Sequence, residues 1–488
     1  MFLELLSFLT TAQFIGINNL YKKERKGEGA EFFLTAFVSI MRRKLIKTVS
    51  LLTTGVLVAS SLCACSNTTK KEANNAKADA QSEAFVPRLD KDASESIEMS
   101  VFFGNFEALD QVINDFNEYY PNVTISYEPN NGSVLVEYLK NNPYADIFMT
   151  DDTNLRYDDW TDYYVLDQCA DLSKEDVNVS AIQDAYLKMC TFDGKLVRIP
   201  MSSNITGMVV NKTLLKNEGL EVPTNYEEFL SVLEALKEKG YTPIQGPENA
   251  IYSGLIYDMG MAMIGSDEKL QEAIDNGDDE AVSKLTVAFE RLQELIDKGY
   301  IDKDINAEYP DDNYDGAILK FFEGDVPFWI CNTEKFSGMK KRESKSETFS
   351  ASPFEYEFTY APIGDKGVYE FSEPWFGFSV NKDSDVYDYA VEFIRFLATE
   401  SEMNTISGIK GVPSIAKNPE NERYPQLGNI ENVELSFIND GTLLNHEKDF
   451  FKQTADRLAS GELSSPEDAA RDYVERCAEV AKEMKEAK

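Results

Sequence analysis

The chain has 488 residues, a length that suits two or three domains or one large two-lobed body. Hydrophobic residues make up 43 % and aromatics 12 %, enough to fill a core, so global disorder is excluded. The formal net charge is −37; residues 1–64 hold eight Lys/Arg and four Asp/Glu, leaving 40 against 81 for the remainder. A body this acidic repels phosphate backbones and anionic membrane surfaces, which argues against nucleic-acid binding.

The first 40 residues mix apolar patches with Glu4, Gln13 and a charged break at Lys22–Glu28. They read as an upstream extension ahead of a true start at Met41, or as an extra membrane segment. From Met41, Arg42, Arg43, Lys44 and Lys47 form a positive n-region, and Val49–Leu62 is an apolar run of 14 residues. That run is too short to cross a ~30 Å hydrocarbon core and suits a signal-peptide h-region. Its end, Leu62-Cys63-Ala64-Cys65, resembles the bacterial lipobox. The resemblance implies cleavage after Ala64 and lipidation of Cys65, with an ordinary secretory cleavage site as the alternative. Several acyl chains would then hold the protein on the bilayer. Residues 65–96 are polar and almost without large apolars, and read as a flexible tether.

From Ile97 the pattern changes. "IEMSVFFG" reads as a strand closed by Gly104, and "NFEALDQVINDFNEYYP" as a helix with Leu109, Ile113, Phe116 and Tyr120 on one face. "NVTISYE" is a strand, Leu135–Asn141 a helix, and "DIFMT" a strand. This βαβαβ rhythm predicts a largely parallel α/β sheet. Farther on, Thr224 and Glu227 have capping-box spacing before a helix that stops at Gly240. A second helix stops at Gly299, "DVYDYAVEFIRFLATE" is a third, and the C-terminal helix opens on Ser465 and Pro466.

Metal and nucleophile chemistry finds little support. His446 is the only histidine, so neither a zinc site nor a Ser-His-Asp triad is expected. Cys169, Cys190, Cys331 and Cys477 lack CxxC spacing and read as buried thiols, with a Cys169–Cys190 disulfide as the alternative. Asp311, Asn313, Asp315 and Gly316 fit the first half of a calcium loop, but the twelfth position is Phe322 and Glu323 is one residue out. A helix start before "AILKFF" is the better reading. No cofactor is expected.

Several stretches, in order, resemble the family 1 extracellular solute-binding proteins of ABC importers, the sugar-binding group that includes maltose-binding protein. "VINDFNEYYPNVTISYE" is similar to the family's opening helix and strand, and Asp193–Phe229 to its most recognisable block, with Val210 and Tyr226 where the family has Tyr and Trp. "AILKFFEGDVPFWI", "YAPIGDKG" and "AVEFIRFLATESEMNTISGIKGVPS" match later segments. The resemblance implies an α/β, two-lobed periplasmic-binding-protein fold of type II, with two discontinuous domains joined by hinge segments. Crossings are expected near Ser203–Gly207, Thr359–Pro362 and Gly411–Pro413, giving lobe one as 97–204 plus 362–410 and lobe two as 206–357 plus 412–488. It also implies a monomeric, membrane-anchored receptor that passes a carbohydrate to permease subunits.

A sugar site needs aromatic platforms for C–H faces, and carboxylates and amides for hydroxyls. In open α/β sheets ligands sit beyond the carboxyl ends of strands, which selects Asn105 and Phe106 after the first strand, and Thr150, Asp151 and Asp152 after "DIFM". The resemblance adds Asn204 at the first hinge, Tyr252, and Trp375 with Phe376; Glu334 stands where the family usually has a tryptophan, so that Glu334 and Phe336 are the alternatives for that role. Phe106 and Phe376 serve core or cleft equally well, and Asp151 and Asp152 could instead cap the next helix. Trp160 and Trp329 read as structural. Trp375, after Glu373-Pro374, is the leading candidate. With three tryptophans in all, a short-sugar pocket is favoured over a long stacked groove. The rival readings are a glycoside hydrolase, since carboxylates abound, and a scaffold or signalling lipoprotein on the same fold.

Overall fold

The structure is a computed structural model and describes residues 85–104, 106–129, 135–142, 145–151, 164–247, 250–301, 314–419 and 432–486. The signal-peptide and Cys65 readings lie outside the described residues. So do Asn105, Asp152 and Trp160, and residues 311–313 of the calcium-like loop; Asp315 and Gly316 lie in helix Tyr314–Phe321, as the helix reading expected.

Lobe one is built on a five-stranded sheet. Strand Ser96–Val101 pairs in parallel with Thr124–Pro129 on one side and Ile147–Asp151 on the other. The strand Phe376–Val380, from far along the chain, adds antiparallel to Ile147–Asp151 and carries the short strand Ile199–Pro200 on its outer edge. Ile147–Asp151 buries four successive residues, as a strand covered on both faces must. Helix Glu107–Asn117 packs Ala108, Leu109, Val112 and Phe116 on the sheet, one apolar stripe at helical spacing. The predicted βαβαβ unit is present.

The folded part begins earlier than Ile97. Phe85 packs edge-on against Tyr119 and Phe396, with centroids 5.2 and 4.9 Å away. The Arg88 amide donates to the Tyr120 hydroxyl and to Glu392. One aromatic and one hydrogen-bonded backbone segment are enough to seat residues 85–95 on lobe one. Any tether must therefore end before Phe85, not at residue 96.

Lobe two holds a four-stranded sheet in the order Tyr356–Thr359, Thr206–Asn211, Phe328–Asn332, Ile244–Gln245. Its helices include Ile251–Gly265, buried on nearly every face, and the amphipathic Asp279–Asp297 and Pro466–Glu486. Gly240 and Gly299 end their helices at φ 89° and 67°, where a side chain would be strained. Ser465 caps the last helix as expected, its Oγ accepting from the Asp468 amide. The cap of helix Tyr226–Glu238 differs by one residue: Asn225 accepts from the Glu228 amide, and Thr224 donates to the Glu228 carboxylate. Thr224 and Glu227 are three apart in sequence, but the helix starts one residue later, so Glu228 makes the contact. Trp329 is buried in lobe two as predicted, and the four described cysteines are free thiols.

Three chain passages run side by side between the lobes. Met201 donates to the Phe376 carbonyl, Trp375 to that of Ser202, and Ser203 to that of Pro413. The second passage is therefore at Glu373–Phe376, not Thr359–Pro362. Ile363, Tyr369 and Phe371 are apolar and buried in the lobe-two core, which holds the chain in that lobe until Pro374. The third passage continues on lobe one beyond Gly411, because Ile415 and Ala416 belong to its core and Lys417 donates to the Ala181 carbonyl.

One buried acid gives lobe one a pH dependence. Glu402 faces helix Glu107–Asn117 and is 7 % exposed, with an oxygen lacking a hydrogen-bond partner. Burial, with the nearby Asp115 carboxylate, pushes its pKa up to about 7. The fold favours the neutral form, so its contribution is fully present below the ordinary carboxylate value and is lost as pH rises through about 7. Glu402→Gln should match the parent near pH 4 and exceed its stability by on the order of 2 kcal/mol at pH 8. Urea melts at the two pH values check this, and equal gains at both would refute it.

Candidate functional site

The loop after the first strand, the first turn of helix Glu107–Asn117 and the end of helix Glu400–Lys410 meet on one side of the inter-lobe cleft. Helix Thr333–Glu343 of lobe two lies across from them. Between these walls is a cavity of about 380 Å³. Phe103, Phe106, Glu107 and Lys410 line it from lobe one, and Glu334, Ser337, Lys341 and Arg342 from lobe two. This is where the strand-end rule places a ligand in an α/β sheet.

The hinge fixes the lobe-two wall. The Ile205 amide donates to Thr333 Oγ1 at 3.1 Å, the Thr333 amide donates back to the Ile205 carbonyl at 2.9 Å, and the Thr333 hydroxyl donates to Asn204 at 3.0 Å. Asn332 caps the helix by accepting from the Lys335 amide. Glu334 thus stands in the first turn of a helix whose start is tied to the hinge. Asn204 is part of that tie, beside Glu373 in the adjoining strand.

The lobe-one wall is aromatic. Phe103 meets Phe106 at 4.8 Å and Trp375 at 5.9 Å between centroids, all edge-on. Phe376 is fully buried and backs this set, 5.0 Å from Trp375 and 5.8 Å from Phe106. Edge-to-face packing of this kind leaves ring faces defined in orientation. Phe106 is buried but still lines the cavity, whereas Trp375, half-buried, is outside its lining and packs against Phe103.

Charge at the site is dominated by cations. Lys410 Nζ lies 3.9 Å from the Phe103 centroid, 5.4 Å from Trp375 and 6.0 Å from Phe106. Burial and the Lys341 charge bring its pKa down to about 8, with Glu334 opposing and Arg342 assisting. Lys341 reaches across the cleft to Glu107 at 3.9 Å. Arg342 is held by Asp315, 2.7 Å away, and Lys345 shares that carboxylate at 2.8 Å. Those two cations keep the Asp315 carboxyl below its ordinary value.

The other predicted residues separate. Thr150 is fully buried and hydrogen-bonded to Ser379 at 3.2 Å, inside the sheet. Asp151 is half-buried at the end of the same strand. Tyr252 sits in the first turn of helix Ile251–Gly265, near a smaller lobe-two cavity of about 220 Å³ lined by Ser253, Tyr257, Asn332 and Lys335. Sequence reasoning missed Phe103, Lys341, Arg342 and Lys410. Only Phe103 had a signal, being in the strand-end "FFG" next to the residues that were selected. Among the described residues, no His/Cys/Asp/Glu group could hold a metal ion.

A family model for the bacterial extracellular solute-binding proteins matches residues 104–404. The chain belongs to that family. The multiple sugar-binding protein of Streptococcus mutans is 22 % identical over 366 residues, which cover 72 % of this chain and 82 % of that one. A probable sugar-binding periplasmic protein of Rhizobium meliloti is 27 % identical over 165 residues, 32 % of this chain and 36 % of that relative. Among solved structures, a sugar transporter from Bacillus licheniformis in complex with stachyose superposes with a TM-score of 0.54 at 18 % identity, covering 79 % of this chain and all of that one. A chitin oligosaccharide binding protein gives 0.58 at 19 % identity over 80 % of this chain and 98 % of its own. The solute-binding family and its two-lobed α/β fold agree with the sequence reading.

Proposed function

We propose that the chain is a non-enzymatic receptor that captures a mono- or short oligosaccharide between its lobes and delivers it to the permease subunits of an ABC importer. It would act as a monomer on the extracytoplasmic face, anchored through a lipidated Cys65. The observation that carries the reading is the inter-lobe cavity, with an aromatic wall on one lobe and polar side chains on the other. Ring faces suit the C–H faces of a sugar, and residues from both lobes let a hinge motion grip it. Asn105 and Glu334 would supply polar contacts, with Phe106 as a platform and Trp375 and Phe376 packed behind the aromatic wall. The sugar-binding descriptions of the relatives favour transport over a hydrolase or a signalling scaffold. Among the described residues no helix is long and apolar enough to cross a membrane.

The test is a melt of the protein against mono- and oligosaccharides, with each mixture then checked by mass spectrometry. A ligand at a hundredfold excess over its dissociation constant should add ~2.7 kcal/mol with the sugar intact. Cleaved sugar would make the protein an enzyme, and no shift with any saccharide would remove the carbohydrate reading. Trp375→Ala should weaken the binding at least tenfold; unchanged affinity would take Trp375 out of the site.

A further inference from the structure

Among the described residues, no carboxylate lies within ion-pairing distance of Lys410; its amine contacts only ring faces. Ammonium over an aromatic face is an attraction, but a modest one, and leaves the charge free to take a counter-ion. Lys341 has one exposed partner across the cleft at 3.9 Å, a contact of little strength that a ligand can displace. Arg342, by contrast, is already matched by Asp315. The cavity therefore has one cation without an ion pair, Lys410, and a second, Lys341, with a weak one, against the carboxylates Glu107 and Glu334 in the same lining, in a chain whose net charge is −37. An acidic body repels anions at large, so an unpaired lysine set among aromatic rings inside it favours an anion that also has apolar faces. The first turn of helix Glu107–Asn117 adds the positive end of its dipole to the same cavity.

Resting on the carbohydrate reading, we propose that the cargo is an acidic saccharide of the hexuronate class, and that Lys410, assisted by Lys341, binds its carboxylate while Phe103 and Phe106 flank the sugar ring. A neutral sugar offers Lys410 only hydroxyl oxygens, which are weaker acceptors for an ammonium than a carboxylate. A carboxylate would restore the lost charge partner.

Calorimetric titration of the full chain decides the matter with matched pairs: tri-galacturonate against the same trisaccharide with its carboxyls reduced, and a glucuronate-containing disaccharide against its glucose counterpart. The acidic member should bind at least tenfold more tightly in one of the pairs. Lys410→Gln should abolish that preference while Lys410→Arg keeps most of it, with melting curves confirming that both variants fold. Equal or tighter binding of the neutral members overturns the acidic assignment and leaves the carbohydrate reading standing. A preference that survives Lys410→Gln overturns the role of Lys410. Absence of binding by every member of both pairs, with neutral sugars from the wider panel also silent, removes both readings together.

Discussion

Lys448→Met should destabilise the fold by about 3–5 kcal/mol, because it strands a buried carboxylate. Lys448 Nζ donates to Glu373 at 2.6 Å, and the two side chains are only 6 % and 18 % exposed. Burial alone would raise the Glu373 carboxyl, but the Lys448 charge and hydrogen bond, joined by the Lys452 charge and a hydrogen bond from Asn439, together hold the group below its ordinary value. The neighbouring Asp258 is buried, and burial with the Glu373 and Glu370 charges pushes its carboxyl well up. The pair also fixes geometry. Glu373 lies in the hinge strand next to Pro374 and Trp375, and Lys448 lies in helix Asn445–Ala459 of lobe two. Removing both charges in Glu373→Gln/Lys448→Met should recover most of the loss, since a matched neutral pair has no stranded charge. Urea unfolding of the two single variants and the double one measures this. A single-variant loss under 1 kcal/mol, or a double-variant loss equal to the sum of the singles, would show that the pair contributes nothing of this kind.

How much of the fold could be read from sequence follows from the range of the forces involved. The strands around Ile97 and Ile147 and the helices stopped by Gly240 and Gly299 rest on local periodicity and local backbone freedom, and they stand where the pattern puts them. The crossover was harder. Pro362 looks like a boundary, but the side chains beyond it, Ile363, Tyr369 and Phe371, bury in lobe two, and only the tertiary core tells that. The docked segment at Phe85 was hidden for a similar reason, since one aromatic in a polar stretch finds its partners at Tyr119 and Phe396. At the site, Phe106 and Glu334 could be anticipated from strand ends and family likeness. Lys410 could not. A lysine before a glycine at the end of a helix reads as a last-turn cation facing the helix dipole. Its meaning here comes from Phe103, some 300 residues earlier, whose ring lies 3.9 Å from its amine.

Gly377→Ala should cost about 1–3 kcal/mol, and Gly377→Val more, although a glycine-to-alanine change in a strand ordinarily helps. Gly377 stands in the strand Phe376–Val380, opposite Thr150 on one side and Pro200 on the other. A Cβ there would lie 2.3 Å from the Ile199 carbonyl oxygen and 2.7 Å from Arg198 Cγ. The first contact is backbone, in the edge strand paired to the strand of Gly377 itself, so it cannot swing aside as a side-chain tip would. Relief requires the strand to shift, and the residues next along it are Phe376 and Trp375, the backing and flank of the aromatic wall. Gly377→Ala should therefore weaken saccharide binding as well as stability. Gly408 supplies the contrast, being in helix Glu400–Lys410 with no atom within 4 Å of a Cβ. Gly408→Ala should stabilise by roughly 0.5–1 kcal/mol through helix propensity. Urea melts of the two alanine variants separate the effects. If Gly377→Ala were as stable as the parent, the close approach of the Ile199 backbone would not constrain the wall, and the position of Trp375 would have to be fixed by the Ser202 hydrogen bond alone.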